Sequence, residues 1–300
     1  MGGSIWKIPI LMVWVMCWFS YSHAQENVLV SGSVIHESVE IKSEILGETV
    51  NYNIYLPRDY HTSTMKYPVL YLLHGYSDNE TGWTQNGQVK RIADELIDQH
   101  KAAQMIIVMP DGGITWYVNC ADGTLYEDFF VEELMPHIED NYKARKGRQF
   151  TGIAGLSMGG YGSLMMGMRH PDRFAAVGAL SGGFFTDDEI GEMGQDQWDR
   201  LLGQPFGEGI SGEARLRGNY EEYSPEKMIA QYKEKKGNVR FYIDCGDDDF
   251  LILGNMNLHA LMLKEKVDHE FRVRDGAHSW SYWRSGLRSI LPFVSESFHR

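Results

Sequence analysis

The sequence predicts an α/β fold in which a mostly parallel central sheet carries helices on both faces and has an antiparallel N-terminal edge. Before residue 57, apolar and polar residues alternate roughly, as they do in antiparallel strands. From Tyr67 onward, short apolar runs are separated by helical stretches, which is typical of βαβ units. No internal repeat interrupts this order, so residues 25–300 are predicted to form a single domain.

The first 24 residues differ from the rest of the chain and are predicted to be a cleaved signal peptide. Lys7 supplies a weak positive region, residues 8–19 are nearly all apolar, and Ser22-His23-Ala24 places small residues where a signal peptidase reads. A membrane anchor is less favoured, because the run is shorter than the ~20 residues that span a bilayer and contains Pro9. Lipidation at Cys17 is also disfavoured, since no small residue precedes it. We therefore expect a secreted or periplasmic protein with no membrane segment after cleavage.

The remaining elements follow from hydrophobic periodicity and from helix-breaking residues. Strands are predicted at residues 28–34, 38–46, 49–56, 69–73, 105–109, 150–154, 175–180, 239–244 and 269–273. Helices are predicted at residues 89–100, 126–142, 160–169 and 255–266, and Pro171 ends the third of them. Residues 184–236 are rich in glycine and acidic residues, and we interpret them as a short insertion over the sheet that covers the active site.

Composition and charge exclude some classes of partner. The apolar fraction of 43% can build a substantial core. The formal net charge is −13, and no basic run is present that would follow a phosphate backbone, so nucleic acid is not expected as a partner. An acidic surface favours an uncharged substrate mildly. Cys120 and Cys245 remain after signal cleavage, and two separate buried thiols are favoured over a disulfide between them.

A Gly-x-Ser-x-Gly motif centred on Ser157 joins the predicted strand at 150–154 to the helix that follows. Gly155 and Gly159 suit such a sharp turn, because the backbone approaches itself so closely there that side chains would clash. The turn places the serine hydroxyl at a helix N-terminus, where the dipole favours developing negative charge. A phosphate-binding loop is not favoured, since no Gly-Lys-Ser/Thr sequence follows. Ser157 is therefore predicted to be a catalytic nucleophile.

A serine nucleophile needs a histidine base and an acid, which follow it in the chain order serine, acid, histidine in this kind of architecture. His278 comes after the last predicted strand and is the histidine placed for that role. The others weighed lie inside predicted elements or before the serine: His74, His100, His170, His259 and His269. Four acids follow the preceding strand, and spacing alone does not choose among them: Asp244, Asp247, Asp248 and Asp249. This acidic run lacks the ligand pattern of a calcium loop, so neither a metal nor a cofactor is expected.

Two backbone amides are predicted to stabilise the oxyanion of the reaction. Met158 directly follows the nucleophile, and Tyr76 lies in the turn after the strand at 69–73. His74, at the end of that strand, is interpreted as structural rather than catalytic.

These motifs resemble the esterase D-like family of the α/β-hydrolase fold, which includes S-formylglutathione hydrolases, tributyrin-type esterases, mycolyltransferases and family-one carbohydrate esterases. The match runs from about Tyr67 to Trp283 and includes Leu72 to Gly75, Pro110 to Gly112, Tyr126 to Asp128 with Glu133-Leu134, Gly155 to Gly160, Asp244 to Phe250 and Gly276 to Trp280. The resemblance implies Asp249 as the acid, because the family places it last before an aromatic residue or leucine. Ser279 departs from the family pattern, in which an aspartate often follows the histidine.

The resemblance implies a serine esterase, and the export signal argues against formylglutathione, which is a cytoplasmic thioester. The expected substrates are small-molecule esters or acylated oligosaccharides and polysaccharides, above all feruloyl or acetyl esters on plant cell-wall xylan. Trp83, Trp116, Tyr117 and Trp280 are then candidates to stack on a phenolic acid or a sugar, with core packing as the alternative for each. A general short-chain carboxylesterase is the first alternative function, and an inactive carbohydrate-binding protein on a hydrolase scaffold is the distant one.

Overall fold

The computed structural model describes residues 1–3 and 32–298 of the chain. Residues 4–24 of the predicted signal peptide and most of the first predicted strand therefore lie outside the described residues. Within them, eight strands form one sheet: β1 (Val34–Lys42), β2 (Thr49–Leu56), β3 (Val69–Leu73), β4 (Ile106–Pro110), β5 (Thr151–Leu156), β6 (Ala176–Leu180), β7 (Arg240–Gly246) and β8 (Glu270–Arg274).

The strand order across the sheet is β1-β2-β4-β3-β5-β6-β7-β8. β2 pairs antiparallel with both β1 and β4, whereas every pair from β4 to β8 is parallel. This confirms the predicted sheet. Its carboxyl ends converge along the parallel part, which is where open α/β sheets place their ligand sites.

Helices cover both faces of the sheet, as predicted. They are α1 (Gly82–Gln85), α2 (Val89–Asp98), α3 (Tyr126–Asp128), α4 (Met135–Asn141), α5 (Met158–Arg169), α6 (Asp187–Glu192), α7 (Gln195–Trp198), α8 (Gln204–Phe206), α9 (Asn219–Glu222), α10 (Pro225–Glu234), α11 (Ile252–Lys264) and α12 (Trp280–Ser297). Two π-helical turns, Phe129–Leu134 and Asp199–Gly203, and two 3₁₀ turns, Arg148–Phe150 and Gly212–Leu216, complete the set. Successive β3 residues divide between two cores: Val69, Tyr71 and Leu73 pack with α5, and Leu70 and Leu72 pack with α2 and α12.

The N-terminal edge differs from its prediction as two separate strands at 28–34 and 38–46. β1 is a single strand whose pairing shifts between His36 and Val39, because Ser38 adopts a positive φ of 48°. The Ser38 amide donates to Asn53 Oδ1 at 2.6 Å, which compensates for the broken ladder. After Lys42 the chain turns instead of extending, and the Glu133 carboxylate accepts hydrogen bonds from the amides of that turn.

The helix α12 was not among the elements that the pattern predicted. Its sequence contains Pro292, which normally argues against a helix interior, and its apolar positions are interrupted by arginines and serines. In the structure Ser279 caps its N-terminus, and Leu287, Ile290 and Val294 bury against the sheet. Burial of this face therefore overrides the local signal.

The insertion at residues 184–236 consists of the short helices α6 to α10, in agreement with the sequence. It is joined to the sheet by the buried carboxylate of Glu127 in α3. That carboxylate accepts hydrogen bonds from Arg169 Nε at 2.8 Å, from the Tyr223 hydroxyl at 2.7 Å, and pairs with His170 Nε2 at 2.7 Å. Tyr223 belongs to the insertion, so this cluster fixes the insertion to the helix that follows the nucleophile motif.

Cys120 and Cys245 are both buried and unpaired, as the sequence favoured. None of the helices within residues 1–3 and 32–298 is long and apolar enough to cross a bilayer.

Candidate active site

Ser157 lies in the sharp turn between β5 and α5 with a φ of 53° and a ψ of −119°, a conformation that side chains rarely adopt. The turn is tight: a Cβ on Gly155 would lie 2.3 Å from the Gly159 carbonyl oxygen, and one on Gly159 would lie 2.5 Å from that of His74. The serine amide donates to Leu180 O at 2.9 Å, and its carbonyl accepts from the amides of Tyr161 and Gly183. These contacts hold the strained residue in place and direct its hydroxyl into the cleft described below.

His278 and Asp249 form a hydrogen-bonded row with this hydroxyl. His278 Nε2 lies 3.0 Å from Ser157 Oγ, and its Nδ1 lies 2.9 and 3.0 Å from the two carboxylate oxygens of Asp249. Since a carboxylate accepts, Nδ1 carries the proton and Nε2 is free to accept one from the serine. The three predicted residues therefore lie within hydrogen-bonding distance, in loops after β5, β7 and β8.

The Asp249 carboxylate is buried, which by itself would raise its pKa. Hydrogen bonds from His278 and from the Leu251 amide at 2.9 Å outweigh that effect, so the pKa of Asp249 lies below its ordinary value. An ionised carboxylate at this point accepts from Nδ1 of His278 and holds the ring in that tautomer.

The other acids of the run occupy different positions. Asp244 is fully buried under the sheet end, where Arg274 donates to it at 2.7 and 3.0 Å and the hydroxyls of Tyr242 and Tyr282 bind it as well. Asp247 is exposed, and its side chain accepts from the Gly276 amide at 3.0 Å. The side chains of Asp247, Asp248 and Asp275 lie within 4.8 Å of one another at the surface, an arrangement that exposed acidic loops often show without any ion.

Met158 directly follows Ser157 in the chain, and Tyr76 lies in the loop after β3 and lines the cleft beside the serine. Met158 is the first residue of α5, so its N–H has no acceptor within the helix. Within residues 1–3 and 32–298, neither amide donates to a carbonyl or a side chain. Tyr76 lines the cleft beside Ser157, and its hydroxyl donates to Arg200 O at 2.6 Å.

His74 is almost completely buried and holds the loop that contains Tyr76 through hydrogen bonds. The Gly112 amide donates to its Nε2 at 2.8 Å, so Nδ1 must carry the proton and donate to Gly75 O at 2.8 Å. The neutral ring therefore ties the loop after β3 to the loop after β4, a structural role that matches its interpretation from the sequence.

A cleft of about 670 Å³ opens above Ser157 and His278. Trp116 and Trp280 lie in its wall, together with Phe185 and Leu201 from the insertion. The Trp116 indole donates to Leu201 O at 2.9 Å, which attaches the insertion to the cleft.

The structure does not place Trp83 or Tyr117 in the cleft, which corrects their prediction as substrate-binding residues. Trp83 is 1% exposed, and its indole donates to Leu73 O at 2.9 Å beneath the site. Its ring contacts Trp280 edge to face at 5.3 Å, so it supports a cleft residue from behind. Tyr117 is fully buried and donates to His74 O at 2.9 Å.

Two aromatic residues beside His278 were missed by the sequence analysis. The ring of Phe250 lies 4.6 Å from the imidazole and is 68% exposed, while Trp283 contacts it edge to face at 4.8 Å. The Trp283 indole donates to the buried hydroxyl of Ser181 at 3.1 Å, which fixes its orientation. Phe250 follows Asp249 directly in the chain, and that adjacency was the available signal.

Comparison with known proteins is consistent with this geometry. A family profile described as "Putative esterase" matches residues 43–294. An acetyl esterase of Caldicellulosiruptor saccharolyticus is 26% identical over 230 residues, which cover 76% of this chain and 83% of that protein. An endo-1,4-beta-xylanase/feruloyl esterase of Xylanibacter ruminicola is 34% identical over 162 residues, which cover 51% of this chain and 22% of that protein, so the match spans about a fifth of that relative.

Among solved structures, a ferulic acid esterase superposes with a TM-score of 0.75 at 34% identity, and the match covers 89% of this chain and 99% of that one. The fold is thus that of α/β-hydrolase esterases. The chain belongs to this esterase family and is a carboxylic ester hydrolase.

Proposed function

We propose that this protein is an exported serine esterase that hydrolyses feruloyl or acetyl esters on plant cell-wall xylan, with Ser157, His278 and Asp249 as its catalytic triad. The observation that carries the proposal is the row of hydrogen bonds from Asp249 through His278 to the serine hydroxyl, at 2.9 and 3.0 Å, beside an aromatic-walled cleft. A nucleophile in contact with an oriented base is the arrangement that acyl transfer requires.

In the first step His278 Nε2 takes the proton of Ser157 as Oγ attacks the ester carbonyl carbon. The carbonyl oxygen becomes an oxyanion and accepts hydrogen bonds from the amides of Tyr76 and Met158. The imidazolium, stabilised by ionised Asp249, then protonates the departing alkoxide, which leaves an acyl-enzyme. In the second step His278 deprotonates a water molecule that attacks the acyl-enzyme, and collapse of the second oxyanion releases the acid and restores the serine.

The substrate class is supported by the relatives and by the cleft. Phe185, Phe250 and Trp280 offer ring surfaces against which a phenolic acid or a sugar packs, and Trp116, which is 3% exposed, packs against Phe185 in the cleft wall. The proteins compared above are named acetyl esterase, feruloyl esterase and ferulic acid esterase. Export is supported by residues 1–24, whose charge and apolar pattern is that of a signal peptide, with residues 25–300 as the esterase domain.

The role of Ser157 is tested with Ser157→Ala, for which kcat on 4-nitrophenyl acetate should fall by about 10⁴-fold or more. The matched control is Ser211→Ala, which removes an exposed hydroxyl of the insertion outside the cleft and leaves the row intact. A serine-directed phosphonate should label the wild type and the control, and not Ser157→Ala. Near wild-type turnover by Ser157→Ala refutes the triad, and a wild type that the phosphonate fails to label favours the inactive carbohydrate-binding alternative.

The substrate is tested by comparing kcat/KM for methyl ferulate and for acetylated xylo-oligosaccharide, with 4-nitrophenyl acetate as the reference ester. Preference for ferulate establishes a feruloyl esterase, and preference for the acetylated sugar establishes an acetylxylan esterase. Turnover confined to the activated reference ester refutes both and leaves a general short-chain carboxylesterase. Mass spectrometry of the exported protein should give an N-terminus at Gln25, and retention of residues 1–24 would refute cleavage.

A further inference from the structure

Helix α11 is apolar on both of its faces, although one face is turned to solvent. Leu258 and Met262 are buried in the core. Leu253, Met256 and Leu263 point the other way and are 61%, 51% and 60% exposed. Asn257 and Lys264 border this exposed apolar side, and a helix that carries large apolar side chains on two sides is ordinarily covered on both.

The exposed positions on α11 form a regular seam. Leu253, Met256, Ala260 and Leu263 are all exposed and are spaced by three, four and three residues, the repeat by which two helices pack side by side. We call these four residues the outer face of α11. Four of the nine large hydrophobic side chains that are exposed among residues 1–3 and 32–298 belong to this region of the fold: Leu253, Met256, Leu263 and Val273. Such concentration marks an interaction surface rather than scattered exposure.

Strand β8 follows α11 in the chain and is the last strand of the sheet among the residues that the structure describes. Its five residues pair with β7 in unbroken parallel register, so its other edge offers backbone N–H and C=O groups that a further strand can bind once the Arg272 guanidinium, which donates to Phe271 O at 3.1 Å, moves aside. Phe271 faces α11, because its ring stacks on His259 at 4.4 Å. Glu270 and Arg272 then point to the opposite face, where both are more than two-fifths exposed.

The charges of β8 complement themselves in an antiparallel pair. When two copies pair about a two-fold axis at Phe271, Glu270 of each copy lies opposite Arg272 of the other, which gives two favourable cross-strand pairs. An axis at Arg272 would instead set the two Arg272 side chains against each other. The sequence of this edge therefore favours one register.

The same pairing brings the two outer faces together. Helix α11 packs on β7 and reaches β8 through the stack of His259 on Phe271. A two-fold axis perpendicular to the sheet keeps both helices on one face, so the joined sheet places the two α11 helices side by side, about two to three strand spacings of ~4.8 Å apart. Backbone pairing and helix packing are thus satisfied by one two-fold axis.

We propose that β8 and the outer face of α11 form an isologous interface between two copies of this chain, which continues the sheet from one copy into the other. The four exposed side chains present on the order of 400 Å² of apolar surface, and the edge strand adds to this towards the roughly 800 Å² per partner that a stable interface uses. This inference does not depend on the proposed substrate.

Sedimentation equilibrium of the purified protein at micromolar concentrations tests the interface. The wild type should sediment as a dimer, and Leu253→Glu with Met256→Glu should raise the dimer dissociation constant at least 100-fold, because the change buries charge in an apolar seam. Met65→Glu is the matched control, since Met65 is 58% exposed outside this region, and it should stay dimeric. Circular dichroism and hydrolysis of 4-nitrophenyl acetate show that each variant is folded.

A charge exchange tests the register. Glu270→Arg should weaken the dimer by about tenfold or more by setting like charges opposite each other, and adding Arg272→Glu should restore it. A wild-type protein that sediments as a monomer overturns the proposal. This holds even if the monomer binds vesicles of neutral phosphatidylcholine. A dimer that survives Leu253→Glu with Met256→Glu also overturns it, because its interface must then lie elsewhere.

Discussion

The buried carboxylate of Glu127 predicts a pH-dependent loss of stability. It contacts Arg169, His170 and Tyr223 and thereby joins the insertion to the end of α5. Glu127→Gln keeps the size of the side chain but removes the charge, so the Arg169 guanidinium loses its buried ionic partner and keeps only Glu222 and Gln231. We expect this single change to weaken the attachment of the cleft wall to the sheet.

The magnitude follows from the pKa of Glu127. Burial by itself would raise it, but hydrogen bonds from His170 and the charge and hydrogen bond of Arg169 outweigh burial and lower the pKa from 4.5 to about 2. A pKa that is depressed in the folded state stabilises the fold above the unfolded value of 4.5, and that contribution is lost as pH falls towards 2. The difference corresponds to about 3 kcal/mol at neutral pH and about half of that near pH 3.

Urea unfolding followed by tryptophan fluorescence measures this effect. Glu127→Gln should lower the free energy of unfolding by about 3 kcal/mol at pH 7, and the gap to the wild type should narrow below pH 4. Glu132→Gln is the control, because Glu132 is exposed on the neighbouring turn, and it should unfold like the wild type at every pH. A gap that is the same at pH 7 and pH 3 would refute the assignment of a depressed pKa to Glu127.

Three further predictions concern the site and its surroundings. Asp249→Asn should lower kcat on 4-nitrophenyl acetate by about 10⁴-fold, because the amide no longer holds the required tautomer of His278. The control Asp247→Asn, at the surface, should keep the wild-type kcat, and equal losses in the two variants would contradict the choice of Asp249 as the acid. Gly159→Ala should lower the melting temperature sharply in calorimetry, since its Cβ would lie 2.5 Å from His74 O, while Gly191→Ala has open space and should not. A thiol-reactive dye should leave Cys120 and Cys245 unmodified in the folded protein at pH 8, since burial raises the pKa of each thiol to about 12. The dye should react with both thiols in denaturant, and rapid labelling of the folded protein would contradict their burial.

The sequence predicted the parts of the fold in which local chemistry and tertiary structure agree. The β5–α5 turn was recognisable because close backbone approach restricts positions 155 and 159 to glycine, and that restriction is visible in a single sequence. The parallel strands were recognisable because burial on both faces leaves continuous apolar runs. These two signals sufficed to predict Ser157 and His278 as neighbours.

Other parts could not be predicted because distant residues decide them. Spacing alone left the acid open among four aspartates, and only the family resemblance implied Asp249; the structure places Asp244 against Arg274 and Asp249 against His278. Trp83 was predicted to line the cleft because the sequence shows that a tryptophan lies near the site but does not show whether its indole faces solvent or the core. The side on which a ring lies depends on packing partners such as Leu73 O, which is ten residues away in the chain.

The attachment of the insertion to the cleft has a consequence for how such enzymes diverge. Tyr76 and Trp116 of the core both donate to main-chain oxygens, those of Arg200 and Leu201. A carbonyl oxygen is present whatever side chain its residue carries, so these two anchors place no demand on the amino acids of the segment they hold. Residues of the insertion that line the cleft can therefore change without breaking these two anchors, and we expect that segments exchanged between relatives alter which esters are accepted.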